Sequence, residues 1–250
     1  MDNDYIFLVT SYNCRPYIDA CITSMLIQED KDFGIIFVDD ASTDGTVDRI
    51  KEISRDIHND HVIHVNEERT SSAAWNQYQA VKKYVTNPNS KICILDGDDE
   101  LYNEESFSII KSSESFSPQT FEAGVLGFQS IIPSRSLYQS MYRTSDPYHM
   151  RYFKAWLYKA VPESMYYRDG ELIKAASDIA FIYPVIQLLN HNFGMTNFVV
   201  YKWKNNLTEH NDHFLRLTEQ RDNSNYIQGR EIMTPLTEEQ IQDIKDNWNS

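Results

Sequence analysis

Three observations predict an α/β fold with a mostly parallel central sheet and helices on both faces. Short apolar runs alternate with helical periodicity through residue 112, the pattern of strands joined by crossover helices. The runs ending near residues 10, 39 and 96 each pass into polar or acidic residues, where an open parallel sheet would form a ligand crevice. A chain of 250 residues, 41% hydrophobic and 24% charged, is long enough for one substantial core.

Tyr5–Thr10 reads as the first buried strand, with Ser11-Tyr-Asn-Cys14 as its polar exit. Pro16 suits the first turn of a helix whose apolar face is Ile18, Cys21, Ile22, Met25 and Leu26, at i, i+3, i+4, i+7 and i+8. Gly34–Val38 is a second strand, and Val47, Ile50, Ile53 and Ile57 mark the helix after it. Val62–Val65 is a third strand. Ala74, Tyr78, Val81 and Val85 are spaced for a helix that Asn87-Pro-Asn89 should stop. Lys91–Leu95 is the fourth strand, too short for a typical helix.

After residue 112 the periodicity loosens. Gly124–Ile132 reads as a strand, Pro133–His149 as loop, Ala155–Ala160 as helical and Asp169-Gly170 as a turn. A helix is expected over Ile173–Leu189 despite Pro184, and a last strand over Phe198–Trp203. From Thr208 the chain is polar. Thr237 as N-cap, Gln240 three residues on, and Leu236 facing Ile241 predict a terminal helix.

Composition narrows the function classes. A net charge of −14 argues against a phosphate-tracking nucleic-acid surface without excluding a local basic groove. Cys14, Cys21 and Cys93 have neither metal-ligand nor disulfide-framework spacing, which fits a cytoplasmic setting. The N-terminus lacks a basic leader region, and no apolar run approaches the ~18 residues of a membrane span. Neither G-x-G-x-x-G nor G-x-x-x-x-G-K-[ST] occurs, so Rossmann dinucleotide and P-loop sites are not expected. His61 and His64 flank two strand residues and face opposite sides.

The densest chemistry is Asp96-Gly-Asp-Asp-Glu100 at the exit of the fourth strand. Like charges so close need a cation or hydrogen-bond donors. All-oxygen ligands suit Mg²⁺ or Mn²⁺ shared with a phosphate-bearing substrate. An EF-hand is ruled out, because Leu101 and Phe107 stand where its glycine and bidentate glutamate belong. The plain alternative is an acidic turn before a helix, with Asn103 as N-cap.

Val9-Thr-Ser-Tyr-Asn13, Val38-Asp-Asp-Ala-Ser-Thr-Asp-Gly-Thr46 and Leu95-Asp-Gly-Asp-Asp99 resemble, in order and spacing, the opening motifs of family-2 glycosyltransferases with the GT-A fold. Ser177-Asp-Ile-Ala-Phe181 is similar to the family's Glu-Asp-x-x-Phe segment. Weaker echoes are Ser72–Asn76 and Tyr201–Thr208. The resemblance spans roughly 5–208 and implies a GT-A-like domain over 1–208, with a nucleotide-sugar-binding half at 1–100 and an acceptor half at 101–208; a polar extension, 209–250, follows.

It further implies inverting transfer from a nucleoside-diphosphate sugar, UDP-linked by preference, to an acceptor hydroxyl on a saccharide or glycoconjugate. Thr10, Tyr12, Asp39, Asp40, Arg69 and Asp96 would line the nucleotide, Tyr12 stacking near the base. Asp96, Asp98 and Asp99 would hold Mn²⁺ or Mg²⁺, and Asp178 would be the general base, with a helix cap as its plain alternative. Ser177 replaces the family's glutamate, Trp75 its common arginine, and Thr70 and Tyr78 its usual glycines. These departures leave room for a nucleotide-sugar-binding protein without transfer activity; a glycosyltransferase acting on a modified nucleic-acid base is a further alternative, which the acidic charge disfavours without excluding. A nucleotidyltransferase would want glycines after the first strand, and Thr10–Arg15 has none.

Overall fold

The computed structural model describes residues 1–112, 123–126, 151–189, 194–196, 200–202 and 217–249. At its centre are four parallel strands, β1 (Tyr5–Ser11), β2 (Gly34–Asp39), β3 (His61–Val65) and β4 (Lys91–Asp96), side by side as β4-β1-β2-β3. Helices α1 (Ile18–Leu26), α2 (Thr46–Ile53) and α3 (Ala73–Tyr84) connect them, as the apolar spacing predicts. The register sets Thr10 between Val38 and Asp96, and Ser11 beside Asp39. Three polar strand ends therefore come out together.

After β4 come a two-residue strand, β5 (Glu100–Leu101), helix α4 (Ser106–Ser112) and strand β6 (Ala123–Leu126). Strand β7 (Arg151–Lys154) enters the main sheet antiparallel to both β4 and β6. Sequence pattern misses it, because Arg151-Tyr-Phe-Lys154 places two apolar residues between charges and shows no alternation. Helix α5 (Trp156–Ala160) and the hairpin β8 (Tyr167–Arg168) and β9 (Glu171–Leu172) follow, turning at Asp169-Gly170, both with positive φ.

Helix α6 spans Ser177–Leu188, four residues shorter at its start than the 173–189 reading. Residues 173–176 instead lead from β9 into the helix, ending in the left-handed Ala176 (φ 58°). Strand β10 (Gly194–Thr196) pairs with β6, which makes seven strands in the main sheet among the described residues, and β11 (Tyr201–Lys202) pairs antiparallel with β5. Of the expected strands at 124–132 and 198–203, residues 127–132, 198–199 and 203 lie outside the described residues, as does the loop at 133–149.

Alternation along the strands sorts the core into two layers. Ile6, Leu8, Ile36, Val38, Ile92 and Ile94 pack against Val81 of α3, Trp156 and Leu157 of α5, and Phe181 and Val185 of α6. Phe7, Val9, Ile35, Phe37, Cys93 and Leu95 face Ile18, Ile22 and Met25 of α1, Ile50 of α2 and Phe107 of α4. Each fully buried side chain of this size stabilises by about 1.5–3 kcal/mol relative to exposure.

The chain's last segment is bound to this core. A polar helix the apolar pattern does not reveal, α7 (Leu217–Gln228), buries only Asn223 and Ile227, and Asn223 donates to the Ala175 carbonyl. Helix α8 (Glu238–Asp246) starts in the expected Thr237/Gln240 capping box, and Leu236 and Ile241 pack on the first layer. Trp248, 7% exposed, donates its indole N–H to the Val85 carbonyl at the end of α3. Among the described residues no helix is long and apolar enough to cross a membrane.

Trp248→Ala should lower unfolding free energy by about 3 kcal/mol, the cost of truncating a buried aromatic. Urea unfolding followed by intrinsic fluorescence and circular dichroism measures this. A loss under about 1 kcal/mol would mean the terminal segment contributes nothing to the core.

Candidate active site

The site is built where β1, β2 and β4 end. Thr10 donates its hydroxyl to Asp96 Oδ1 at 3.2 Å, across the register that makes them neighbours. The Gly97 N–H donates to the Thr10 carbonyl at 2.8 Å, and a Cβ at Gly97 would lie 3.0 Å from both that oxygen and Ser11 Cβ. Glycine is needed here for close approach, which draws the acidic turn against β1. The Asp99 N–H closes the turn on the Asp96 carbonyl at 2.9 Å, and the Leu101 N–H donates to Ser24 Oγ of α1 at 3.0 Å.

The four acidic side chains of this turn are not equivalent. Asp96, Asp98 and Glu100 are partly exposed, whereas Asp99 is 2% exposed. Its Oδ2 accepts the Tyr201 hydroxyl of β11 at 2.5 Å. Burial, and then the negative charge of Asp96 and Asp99, push the Tyr201 phenol well above its ordinary range, so it stays a proton donor. Among the described residues, no group of three or more His, Cys, Asp or Glu is arranged to hold a metal ion.

Asp39 and Asp40 behave differently from each other. Asp39 is fully buried; Ser11 Oγ donates to Oδ2 at 2.8 Å, Ser42 Oγ to Oδ2 at 2.7 Å, and the Ser42 N–H to Oδ1 at 2.7 Å. Asp40 joins the exits of β2 and β3 to the start of α3. Its Oδ1 accepts Asn66 Nδ2 at 2.8 Å, the Thr70 N–H at 2.9 Å and the Thr70 hydroxyl at 3.1 Å. Its Oδ2 accepts the Ser71 N–H at 2.8 Å. Burial alone would raise its pKa, but the bonds from Thr70, Asn66 and Ser71 outweigh it and hold the carboxyl below its usual range. Beside this network the Arg69 guanidinium carbon lies 3.5 Å from the centroid of the Tyr12 ring, a cation–π contact.

Asp178 is the second residue of α6 and caps nothing, since Ala176 stands at the N-cap without a side-chain bond. Its Oδ2 pairs with Arg151 Nη2 at 3.1 Å, and 31% of its side chain is exposed. Arg151 lies opposite Ile94 in the sheet, two residues before Asp96, so Asp178 sits toward the same end as the acidic turn. Ser177 Oγ accepts the Ala74 N–H at 3.4 Å, which ties the start of α6 to the start of α3. Trp75 stacks on Tyr78 and meets the edges of Tyr166 and Tyr167.

Arg151, Tyr201, Ser42 and Thr70 are participants that sequence reasoning does not single out in these roles. Ser42 and Thr70 read as ordinary turn chemistry, and Arg151 carries no local signal. His61 and His64 stay apart from the site, bonded to the Asn59 carbonyl and the Tyr84 hydroxyl.

A mostly parallel sheet with oxygen-rich loops at the strand ends and an acidic turn after β4 defines the GT-A class of glycosyltransferase folds. Residues 6–120 match the model described as Glycosyl transferase family 2, a little under half of the chain. The Bacillus subtilis (strain 168) protein named as a teichuronic acid biosynthesis glycosyltransferase, TuaG, is 33% identical over 95 residues, 37% of this chain. The matched segment spans only 35% of that relative.

Residues 1–349 of S. aureus TarS, crystallised with UDP-GlcNAc, superpose with a TM-score of 0.66 at 16% identity, over 99% of this chain and 71% of that one. The mannosyltransferase PcManGT of Pyrobaculum calidifontis, with GDP-Man and Mn²⁺, gives 0.62 at 15% identity, over 93% and 66%. At these identities the likeness is one of fold.

Because Asp40 is held below the usual carboxylate value near 3.8, it adds stability above that pH, and the contribution fades as pH falls through its lower folded value. Asp40→Asn should therefore cost about 2 kcal/mol at pH 7, the worth of hydrogen bonds to a charged acceptor. The difference from wild type should shrink below about pH 4. Chemical denaturation across that range is the measurement; a pH-independent difference would show that the network does not depend on the charge.

Proposed function

We propose that this chain transfers a glycosyl group, with inversion, from a nucleoside-diphosphate sugar to an acceptor hydroxyl, assisted by a divalent cation. The observation that carries this is the shared exit of β1, β2 and β4, which gathers Thr10, Tyr12, Asp40 and the acidic turn on one side of the sheet. Asp40 Oδ2, which accepts the Ser71 N–H, has a second lone pair for a ring N–H of the base. Tyr12 and Arg69 provide an aromatic and cationic surface beside it. UDP is the preferred nucleotide, supported by the UDP-GlcNAc complex of TarS; the GDP-Man complex of PcManGT makes GDP the natural comparison.

Asp96 and Asp98 are the ligands we assign to Mn²⁺ or Mg²⁺. Their oxygens suit a hard cation, and two carboxylates completed by substrate phosphates is the usual provision for such ions. When bound, the ion would neutralise charge on the departing diphosphate. Asp178 is assigned as general base: the acceptor O–H gives its proton to the carboxylate as its oxygen bonds to the anomeric carbon. The anomeric C–O bond to the diphosphate breaks, and the electron pair leaves with the nucleotide. Arg151, on Oδ2, orients this carboxylate. The acceptor is a saccharide or glycoconjugate. The TuaG match, over 95 residues, supports glycosyl transfer rather than any particular donor or acceptor.

Two variants test the assignment. UDP should raise the melting temperature more with Mn²⁺ than with EDTA, and Asp98→Asn should abolish that difference without unfolding the chain; equal shifts in metal and chelator would refute the cation. Asp178→Asn should keep UDP and Mn²⁺ binding near wild type while glycosyl transfer falls by roughly 10²–10⁴. Near-normal transfer by this variant would move the search for the base to Asp169 and Glu171.

A further inference from the structure

We propose that Tyr201 is the positioning residue of the acidic turn, and that Asp99 serves as its anchor rather than as a ligand of the cation. The inference rests on the donor reading above. One hydroxyl reaches both ends of the turn: it donates to Asp99 Oδ2 at 2.5 Å and lies 3.5 Å from the Asp96 N–H as an acceptor. Strand β11 delivers it from far along the chain, with Tyr201 opposite Leu101 and Lys202 opposite Glu100, whose side chains also pair at 3.4 Å. The Tyr102 N–H extends the tie to the Val200 carbonyl at 3.0 Å.

The chemistry follows from burial. Asp99 is 2% exposed and Tyr201 8%, so the bond between them is made away from water. A buried carboxylate is stable there only with a donor, and the neutral phenol supplies one without adding charge. With Asp99 turned to the phenol, Asp96 and Asp98 are the partly exposed aspartates of the turn. Gly97 against Thr10 and Leu101 against Ser24 hold the turn's other sides. Tyr201 thereby fixes the separation and direction of the two carboxylates that meet the diphosphate and its cation.

The test uses the full chain and reads Mn²⁺ affinity by electron paramagnetic resonance titration at saturating UDP, with UDP affinity in EDTA measured by calorimetry. Tyr201→Phe should weaken Mn²⁺ about 10–100-fold, as loss of a group that orients a metal ligand does, and leave UDP affinity in EDTA unchanged. Asp99→Asn keeps a carbonyl oxygen for the phenol and should stay within a few-fold of wild type, whereas Asp98→Asn should lose Mn²⁺ uptake. Asp99→Asn falling as far as Asp98→Asn would overturn the proposal, and would do so even if Tyr201→Phe does not fold. Wild-type Mn²⁺ affinity in a folded Tyr201→Phe overturns it equally. A wild-type chain that takes up no Mn²⁺ with either UDP or GDP overturns the donor reading, and the role of Tyr201 with it.

Discussion

Asp39 ends β2 with none of its surface exposed, and its carboxylate is held by Ser11 at the end of β1 and by both donors of Ser42 in the loop that follows β2. A carboxylate out of water requires such donors, so meeting the requirement also fixes the loop after β2 to the end of β1. Asn13 continues the tie, donating its N–H to Ser42 Oγ and accepting the Thr43 N–H on its side chain. Asn13, Ala41 and Ser71 adopt positive φ in the loops at this end of the sheet, at a cost on the order of 1–3 kcal/mol each; the bonds of Asn13 to Ser42 and Thr43 and of Ser71 to Asp40 hold two of them there. The crevice is thus shaped before any ligand enters. Its walls are carboxylates already matched with donors; its partly exposed aspartates are those of the turn after β4.

A second seam joins the regular first half to the less regular second. Ala74 and Trp75 begin α3, Ser177 begins α6, and the two starts meet through the Ala74–Ser177 bond. Trp75 fills the neighbouring space against Tyr78, Tyr166 and Tyr167, with Phe181 stacked beyond. Ser177 and Trp75 are both departures from the family pattern, and both lie on this seam. A short hydroxyl and a large apolar ring replace a carboxylate and a guanidinium there, so the junction is held by packing and a neutral hydrogen bond. Asp178, one residue farther along, keeps its charge partner in Arg151 instead.

The parallel core was legible because its signals are local. The short apolar runs of β1, β2 and β4 follow from strands buried on both faces, and the faces of α1 to α3 follow from the helical period. That the polar exits at Thr10, Asp39 and Asp96 converge also followed, since parallel strands must end on one side of a sheet. Even the terminal helix was written in its cap, Thr237 and Gln240. What each carboxylate does was not legible. Asp39 and Asp40 are adjacent and chemically identical, yet one is enclosed by serines and the other bridges to α3. Nothing near Asp99 in the sequence shows that its Oδ2 accepts the hydroxyl of Tyr201, a hundred residues on.

Sequence by itself determined the order of the first four strands and the helices between them, the location of the acidic turn and the cap of the terminal helix. All three rest on periodicity, capping or spacing among near neighbours. Tertiary structure alone decided that β7 would run antiparallel beside β4, bringing Arg151 to Asp178. It alone decided that α6 would start at Ser177, and that β11 would carry Tyr201 to the acidic turn. These choices depend on pairings between residues tens of positions apart, where the gain from burying a face or satisfying a charge outweighs any local preference and leaves no periodic trace.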